Sequence, residues 1–439
     1  MKLFLYRTLT FFIKPFVRPL LTLRRRRGLE TDDKARVNER LGEPSVKRPD
    51  GRVLWVDALS VGEGNSVLPV IDYILEEYPD AHILVTTTTV TGAANMREKL
   101  KGKRAILQFL PVDRRAYAEK FLGYWRPSIG FFVDSNFWPN ILLAAQGRQI
   151  PLILLNGRVS DRSYTRWMKN KKIISRLMRA FVFAFAKSER DAEKLSDMGI
   201  GEVICVGNMK YGAPPLAYDP EELKALALIA DGRKTWVASV THAGEDEMIL
   251  RAHLSVRTEF PGALLILAPR HPNRGGDISE LAEKSGFRTA LASAGGRICP
   301  DTDVFVFDVL SALNTLGAFG DLGLFYSYSD IVFVGGSLLP TLHGHNPMEP
   351  ARLRAAILSG RNVDSFFETY EILESENAVI LVDEEKDLSE RVKHLMSDPE
   401  LLTGYRERAF EIAEREAAVL DRTRERLKSV LGGILRAEQ

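Results

Sequence analysis

Short, unbroken apolar runs rich in Val, Ile, Leu and Phe punctuate the chain at near-regular intervals. In the first half they occupy 52–58 (RVLWVDA), 82–87, 105–110, 129–134 (IGFFVD), 151–156, 181–186 and 203–206. A second set covers 235–240, 263–268 (ALLILA), 303–307, 331–334, 355–358 and 378–382. Continuous rather than alternating hydrophobicity marks strands buried on both faces of a parallel sheet. Helical patterning fills most of the intervals. The predicted fold class is α/β, with two Rossmann-like, doubly wound domains facing each other across a cleft. The stretch 212–222 (GAPPLAYDPEE) is the expected linker, and a charged amphipathic helix is expected from about Tyr405 to the end.

Residues 3–23 (LFLYRTLTFFIKPFVRPLLTL) follow a different pattern. Arg7, Lys14 and Arg18 interrupt the apolar run, which argues against a secretory signal and against a spanning helix. On a helical wheel these cations fall within about 40° of one another. Leu5, Leu9, Phe12, Phe16 and Leu20 gather opposite them. That is an interfacial, membrane-lying pattern, followed by four arginines suited to anionic headgroups. Pro15 and Pro19 predict a kink or two short helices. The alternative is a basic helix packed on its own domain.

Composition sharpens this picture. The 439 residues are 45% hydrophobic and 27% charged, an ordinary globular balance. Two cysteines cannot supply a disulfide framework. The net charge of +2 hides an uneven split: residues 1–27 carry +8 and the remaining 412 carry −6. A slightly acidic body argues against a nucleic-acid partner.

Ligands of doubly wound sheets bind beyond the carboxyl ends of the strands, so the candidate chemistry is sought there. After the first strand, Gly62 and Gly64 suit a tight turn and close backbone approach ahead of a helix expected near Ser66. Val67 occupies the third position, so the G-x-G-x-x-G fingerprint fails. Glu63 between those glycines is open to two roles, general base or helix-capping carboxylate. A helix amino terminus is expected to depress its pKa. Asp134, ending 129–134, is a working carboxylate or an N-cap for the helix after Pro139. Lys210 could hold a carboxylate or phosphate, but most lysines are solvated surface, and on residue type alone it would be set aside. Arg270 and His271 follow 263–268 in a loop fixed by two prolines, and arginine suits bidentate phosphate contacts. Glycines at Gly335 and Gly336, then a helix opening at Asn346-Pro347-Met348-Glu349, predict an anion site, with Glu349 available to ribose hydroxyls. His343 and His345 with Glu349 form only a weak metal pattern, and no metal is expected. No phosphate-binding P-loop and no G-x-S-x-G elbow occurs.

Taken in order, these motifs resemble those of the 3-deoxy-D-manno-octulosonic acid (Kdo) transferases, the lipid A glycosyltransferase family. The matching stretches are Ser60–Glu63, Thr86–Gly92 (TTTTVTG), Phe137–Asn140 (FWPN), Asn156–Ser163 (NGRVSDRS), Gly207–Lys210, Thr241–Glu245 (THAGE), Pro269–Pro272 and Val334–Glu349. The resemblance implies a GT-B fold and transfer of Kdo from CMP-Kdo to a lipid A precursor in lipopolysaccharide biosynthesis. It implies inversion, no cofactor, and a place on the cytoplasmic face of the inner membrane. It implies Glu63 as general base, with Asp134 and Lys210 stabilising the transition state. CMP would be held by Arg270, His271, Phe319, Gly320, Asp321, Asn346, Pro347, Met348 and Glu349. The implied domains are an anchor (1–27), an acceptor-binding domain (28–213), a donor-binding domain (214–404) and a terminal helix (405–439) returning to the acceptor domain. The chain departs from the family where Asp134 and Asn136 stand in place of glutamates. Gly360–Phe366 replaces a Gly-Pro-His-type loop, and a long 308–318 precedes Phe319. Two other functions remain open: another GT-B nucleotide-sugar transferase acting on a membrane lipid, or a non-catalytic membrane-bound nucleotide-binding protein.

Overall fold

The computed structural model describes residues 2–26, 28, 34–212, 215–230, 232–309 and 320–436. They form two compact units, Met1–Ala213 with Glu416–Gln439, and Pro214–Arg415.

The first unit is built on β1 (Arg52–Asp57), β2 (Ala81–Thr87), β3 (Ala105–Phe109), β4 (Ile129–Val133), β5 (Leu152–Gly157), β6 (Phe181–Ala186) and β7 (Val203–Cys205). All pairs are parallel, in the order β3-β2-β1-β4-β5-β6-β7. Successive side chains of one strand enter different cores. Trp55, Phe132 and Leu154 pack on one face, and Leu54, Val56, Phe131 and Leu155 on the other. Two buried faces are the physical cause of the unbroken apolar runs.

The second unit repeats the plan with β8 (Thr235–Thr241), β9 (Leu264–Pro269), β10 (Thr289–Leu291), β11 (Val304–Val306), β12 (Ile331–Val334), β13 (Ala356–Gly360) and β14 (Val379–Val382). Its parallel order is β10-β11-β9-β8-β12-β13-β14. Every predicted run becomes a strand, and β10 is additional. It is three residues long, half-buried and at the sheet edge, too short to leave a hydrophobic signature. The strand order reverses between β1 and β4, and again between β8 and β12. Such switch points open a crevice at the strand ends.

The terminal helix differs from expectation. It is two helices, Pro399–Ala417 and Val419–Arg436. Pro399 suits the first helical position, and the Asp398 carboxylate accepts from the amides of Glu400 and Leu401. The helix therefore starts before Tyr405. The division between the units falls after Arg415, not at 404. Val419, Leu427 and Leu431 are fully buried in the core of the first unit. Within the expected linker, a helix already begins at Pro220, where the Asp219 side chain accepts from the Glu221 amide.

At the amino terminus, α1 (Lys2–Phe12) and α2 (Lys14–Arg26) are separate pieces, and Pro19 is absorbed inside α2. They rest on the first unit: Tyr6 donates to Asp113 at 2.7 Å, while Val17 and Leu21 bury against Leu41. The opposite row, Leu5, Leu9, Phe12, Phe16 and Leu20, is 49% to 67% exposed. Among the described residues, no helix is long and apolar enough to cross a membrane.

Candidate active site

In the first unit, three of the singled-out residues gather at the β1/β4 switch. The helix after β1 begins at Val61, not near Ser66. Gly62 and Gly64 thus lie in its first turn and serve close approach rather than a turn. A Cβ at Gly64 would stand 2.6 Å from Met96 Sδ, and one at Gly62 would stand 4.0 Å from Lys210 Nζ. Ser60 caps this helix by accepting from the Glu63 amide. The Glu63 carboxylate accepts from the Leu59 amide at 2.8 Å, from Ser60 Oγ at 3.1 Å and from Asn136 Nδ2 at 3.0 Å. Capping and a chemical role are therefore not exclusive. The expected depression of its pKa is reversed. Burial raises it more than the Leu59 amide lowers it, and the nearby Asp134 charge raises it further. Behind it, fully buried Asp57 is pushed up to about 8 by desolvation.

Asp134 occupies the left-handed region, with φ +64°. Non-glycine residues held there often mark working sites. Its Oδ1 accepts from the Ser135 amide and from Arg158 Nε at 3.1 Å. It does not cap the following helix. Asp113 does so, accepting from the amides of Asn140 and Ile141. Lys210 is exposed on a 3-10 turn, Met209–Gly212. Asn156 Oδ1 fixes that turn by accepting from the Met209 amide at 3.0 Å.

In the second unit, the loops after β8, β9 and β12 converge. Glu245 is fully buried at the start of the helix after β8. Its carboxylate accepts from four amides, those of His242, Gly336, Ser337 and Leu338. The glycine-rich turn after β12, expected to bind an external anion, is thus filled by an internal one. Arg270 is exposed, its amide tied to the Thr241 carbonyl at 2.9 Å. Arg274 pairs with Asp246 and is held in place. His242 and His345 stack with ring planes 12° apart and Nε2 atoms 2.9 Å apart. His271 lies edge-on to His242, with ring centroids 5.7 Å apart. Burial first, then neighbouring histidines and Arg270, lowers both stacked rings, His345 to about 4.

Asn346 donates to Glu349 at 3.1 Å, and its Oδ1 accepts from the Met348 amide. The helix opening there, Met348–Ala351, is only four residues long, with Pro347 preceding it as cap. Its anion-binding capacity is smaller than predicted, since one terminal amide is already engaged. Burial raises the Glu349 pKa. His343 diverges from His345 toward Asp364. Gly320 begins the helix Gly320–Tyr328. Phe319 and the side chain of Asp321 lie outside the described residues.

A family model described as 3-deoxy-D-manno-octulosonic-acid transferase (kdotransferase) matches residues 35–213. A 3-deoxy-D-manno-octulosonic acid transferase of Rickettsia felis is 32% identical over 371 residues, 84% of this chain and 77% of that protein. The chain belongs to the Kdo transferase family. A Kdo transferase of Haemophilus influenzae is 28% identical, covering 89% of both chains. The solved UDP-GlcNAc 2-epimerase of Neisseria meningitidis bound to UDP-GlcNAc has a TM-score of 0.57 at 15% identity. It covers 86% of this chain and 100% of that one, a likeness of fold alone. This Kdo transferase family member is a glycosyltransferase.

Asn136, Arg158, His242 and Glu245 are not among the candidate site residues read from sequence, and His345 is there only as part of a weak metal pattern. Four of these five lie inside family-like stretches and Asn136 adjoins one, and the partners that place them are 24 to 103 positions away in sequence. The signal available was position just after an apolar run.

Proposed function

We propose that this glycosyltransferase moves Kdo from CMP-Kdo to a lipid A precursor with inversion, and that Glu63 is its general base. The observation that carries this is Glu63 itself. It is an oriented, half-buried carboxylate whose proton affinity is raised by burial and by Asp134. A general base works best with a pKa drawn toward the working pH.

Glu63 would take the proton of an acceptor hydroxyl as its oxygen attacks the anomeric carbon opposite CMP. The transition state is oxocarbenium-like, and the Asp134 charge would stabilise it electrostatically. Lys210, with its amine close to Gly62, would hold the Kdo carboxylate or the leaving phosphate. In the second unit, Arg270 and His271 are the exposed cationic and polar groups for the CMP phosphate. Asn346 and Glu349 would face the nucleoside. Family membership supports a nucleotide-sugar donor, and the relatives' name supports Kdo as the sugar moved.

The exposed apolar row of α1 and α2 supports attachment to a membrane surface, and we take that surface to be the cytoplasmic face. Lys14, Arg18 and Arg24 to Arg26 would add about 1 kcal/mol each near anionic lipid.

The test is a transfer assay with purified protein, a tetraacylated lipid A precursor and CMP-Kdo, UDP-sugars or GDP-sugars as donors. CMP release with a product heavier by Kdo is expected only from CMP-Kdo. Transfer from a UDP- or GDP-sugar instead would favour a different donor. No transfer from any donor would sink the reading.

A further inference from the structure

The first unit contains two adjoining cavities that the reaction chemistry above does not use. One, of about 820 Å³, lies between α1 and the helices Arg115–Trp125 and Lys171–Met178. Five cations line it: Arg7, Arg114, Arg115, Lys172 and Arg176. Its one carboxylate, Glu119, is already paired with Arg148 at 3.3 Å. Arg114 is buried, stands over the rings of Phe11 and Tyr117, and leaves Nε without a hydrogen-bond partner. An anion entering this cavity would meet several charge-assisted donors. Phe4, Phe11 and Ile173 make the remaining wall apolar.

The second cavity, of about 500 Å³, shares Leu3 and Ile173 with the first. Phe137, Trp138, Trp167 and Leu177 give it a mainly apolar lining, to which Arg166 and Lys169 also contribute. Its lining includes Phe137, the residue after Asn136, whose side chain holds Glu63. The candidate base and the two adjoining cavities lie on one unit. A soluble sugar phosphate would leave the aromatic wall unused. A flat lipid surface would leave the recessed part of this half-open cationic cavity unused. An amphiphile carrying sugar, acyl chain and phosphate matches all three.

We propose that these two cavities form an acceptor site of two compartments: the cationic one takes a phosphate group of an acylated phosphosugar, and the aromatic one takes an acyl chain. This rests on the acceptor reading given above and assigns the residues that recognise it. Charge-assisted hydrogen bonds from several cations make the phosphate a strong determinant of affinity.

The experiment compares a phosphorylated tetraacyl acceptor with its dephosphorylated form in zwitterionic micelles, which removes membrane attraction. Wild-type protein is expected to prefer the phosphorylated form by about tenfold or more in kcat/KM. In the double variant K172E/R176E, the preference should fall to within about twofold. Both residues are exposed, and CMP-Kdo binding reports that the variant is folded. Trp167→Glu should likewise erode the preference for an acylated over a deacylated acceptor. An unchanged phosphate preference in K172E/R176E, with transfer intact, overturns the two-compartment site alone. No wild-type transfer to any of these acceptors overturns the acceptor reading and the site with it.

Discussion

Asn136 donates through Nδ2 to Glu63 Oε2 at 3.0 Å, and the same amide donates to the Val133 carbonyl at 2.9 Å. One side chain therefore ties the end of β4 to the start of the helix after β1. It orients the proposed base without bringing a second charge against it. The charge next to the base comes instead from Asp134, held by Arg158.

That arrangement predicts a shifted pH profile. Glu63 must be ionised to accept a proton, so kcat/KM falls as pH drops through its pKa. Burial and Asp134 place that acid limb above the ordinary glutamate value of 4.5. Asp134→Asn removes one of the two raising effects, so the limb should move to lower pH. An acid limb that stays in place would show that another group titrates there.

Glu245 organises the second unit from inside. Gln at this position keeps the shape but points an amide donor at backbone donors. Each oxygen accepts two of the four amides, so whichever becomes the amide nitrogen, two accepted hydrogen bonds are lost, and a charged acceptor is replaced by a neutral one. Glu245→Gln should destabilise the protein by about 3 kcal/mol. It should also weaken CMP binding, because the loops after β8 and β12 lose their common tether. Urea unfolding and nucleotide titration check both effects.

The amino-terminal helices make a separable prediction. Phe12 and Phe16 are each 67% exposed, so replacing them costs the fold little. Burying a phenylalanine is worth about 1.5–3 kcal/mol. Phe12→Ser or Phe16→Ser should each lower partition into anionic vesicles by about tenfold or more, with unchanged thermal stability. Unchanged partition would mean that this face does not enter the bilayer.

The framework was legible because each sheet is buried on both faces, so its strands are written as apolar runs. The short edge strand β10 has no such run and was missed. At the site, Glu63, Asp134 and Arg270 stand out as chemical residue types just after strands, whereas Lys210 enters only through the family resemblance. Glu245 could not, since its role depends on amides about 90 residues away in sequence. The His242–His345 pair joins two loops 103 residues apart, and no local pattern announces it. The direction of the Glu63 pKa was misjudged because a helix start lowers it, while the burial that outweighs this is invisible in sequence.

The most direct test is Glu63→Gln, assayed with CMP-Kdo and the lipid acceptor at neutral pH and monitored for product and free CMP. Loss of a general base predicts turnover lower by about 10²–10⁴-fold, with CMP-Kdo binding close to that of the wild type. Near-wild-type turnover with intact donor binding would contradict the account, and the carboxylate would be left as a helix cap.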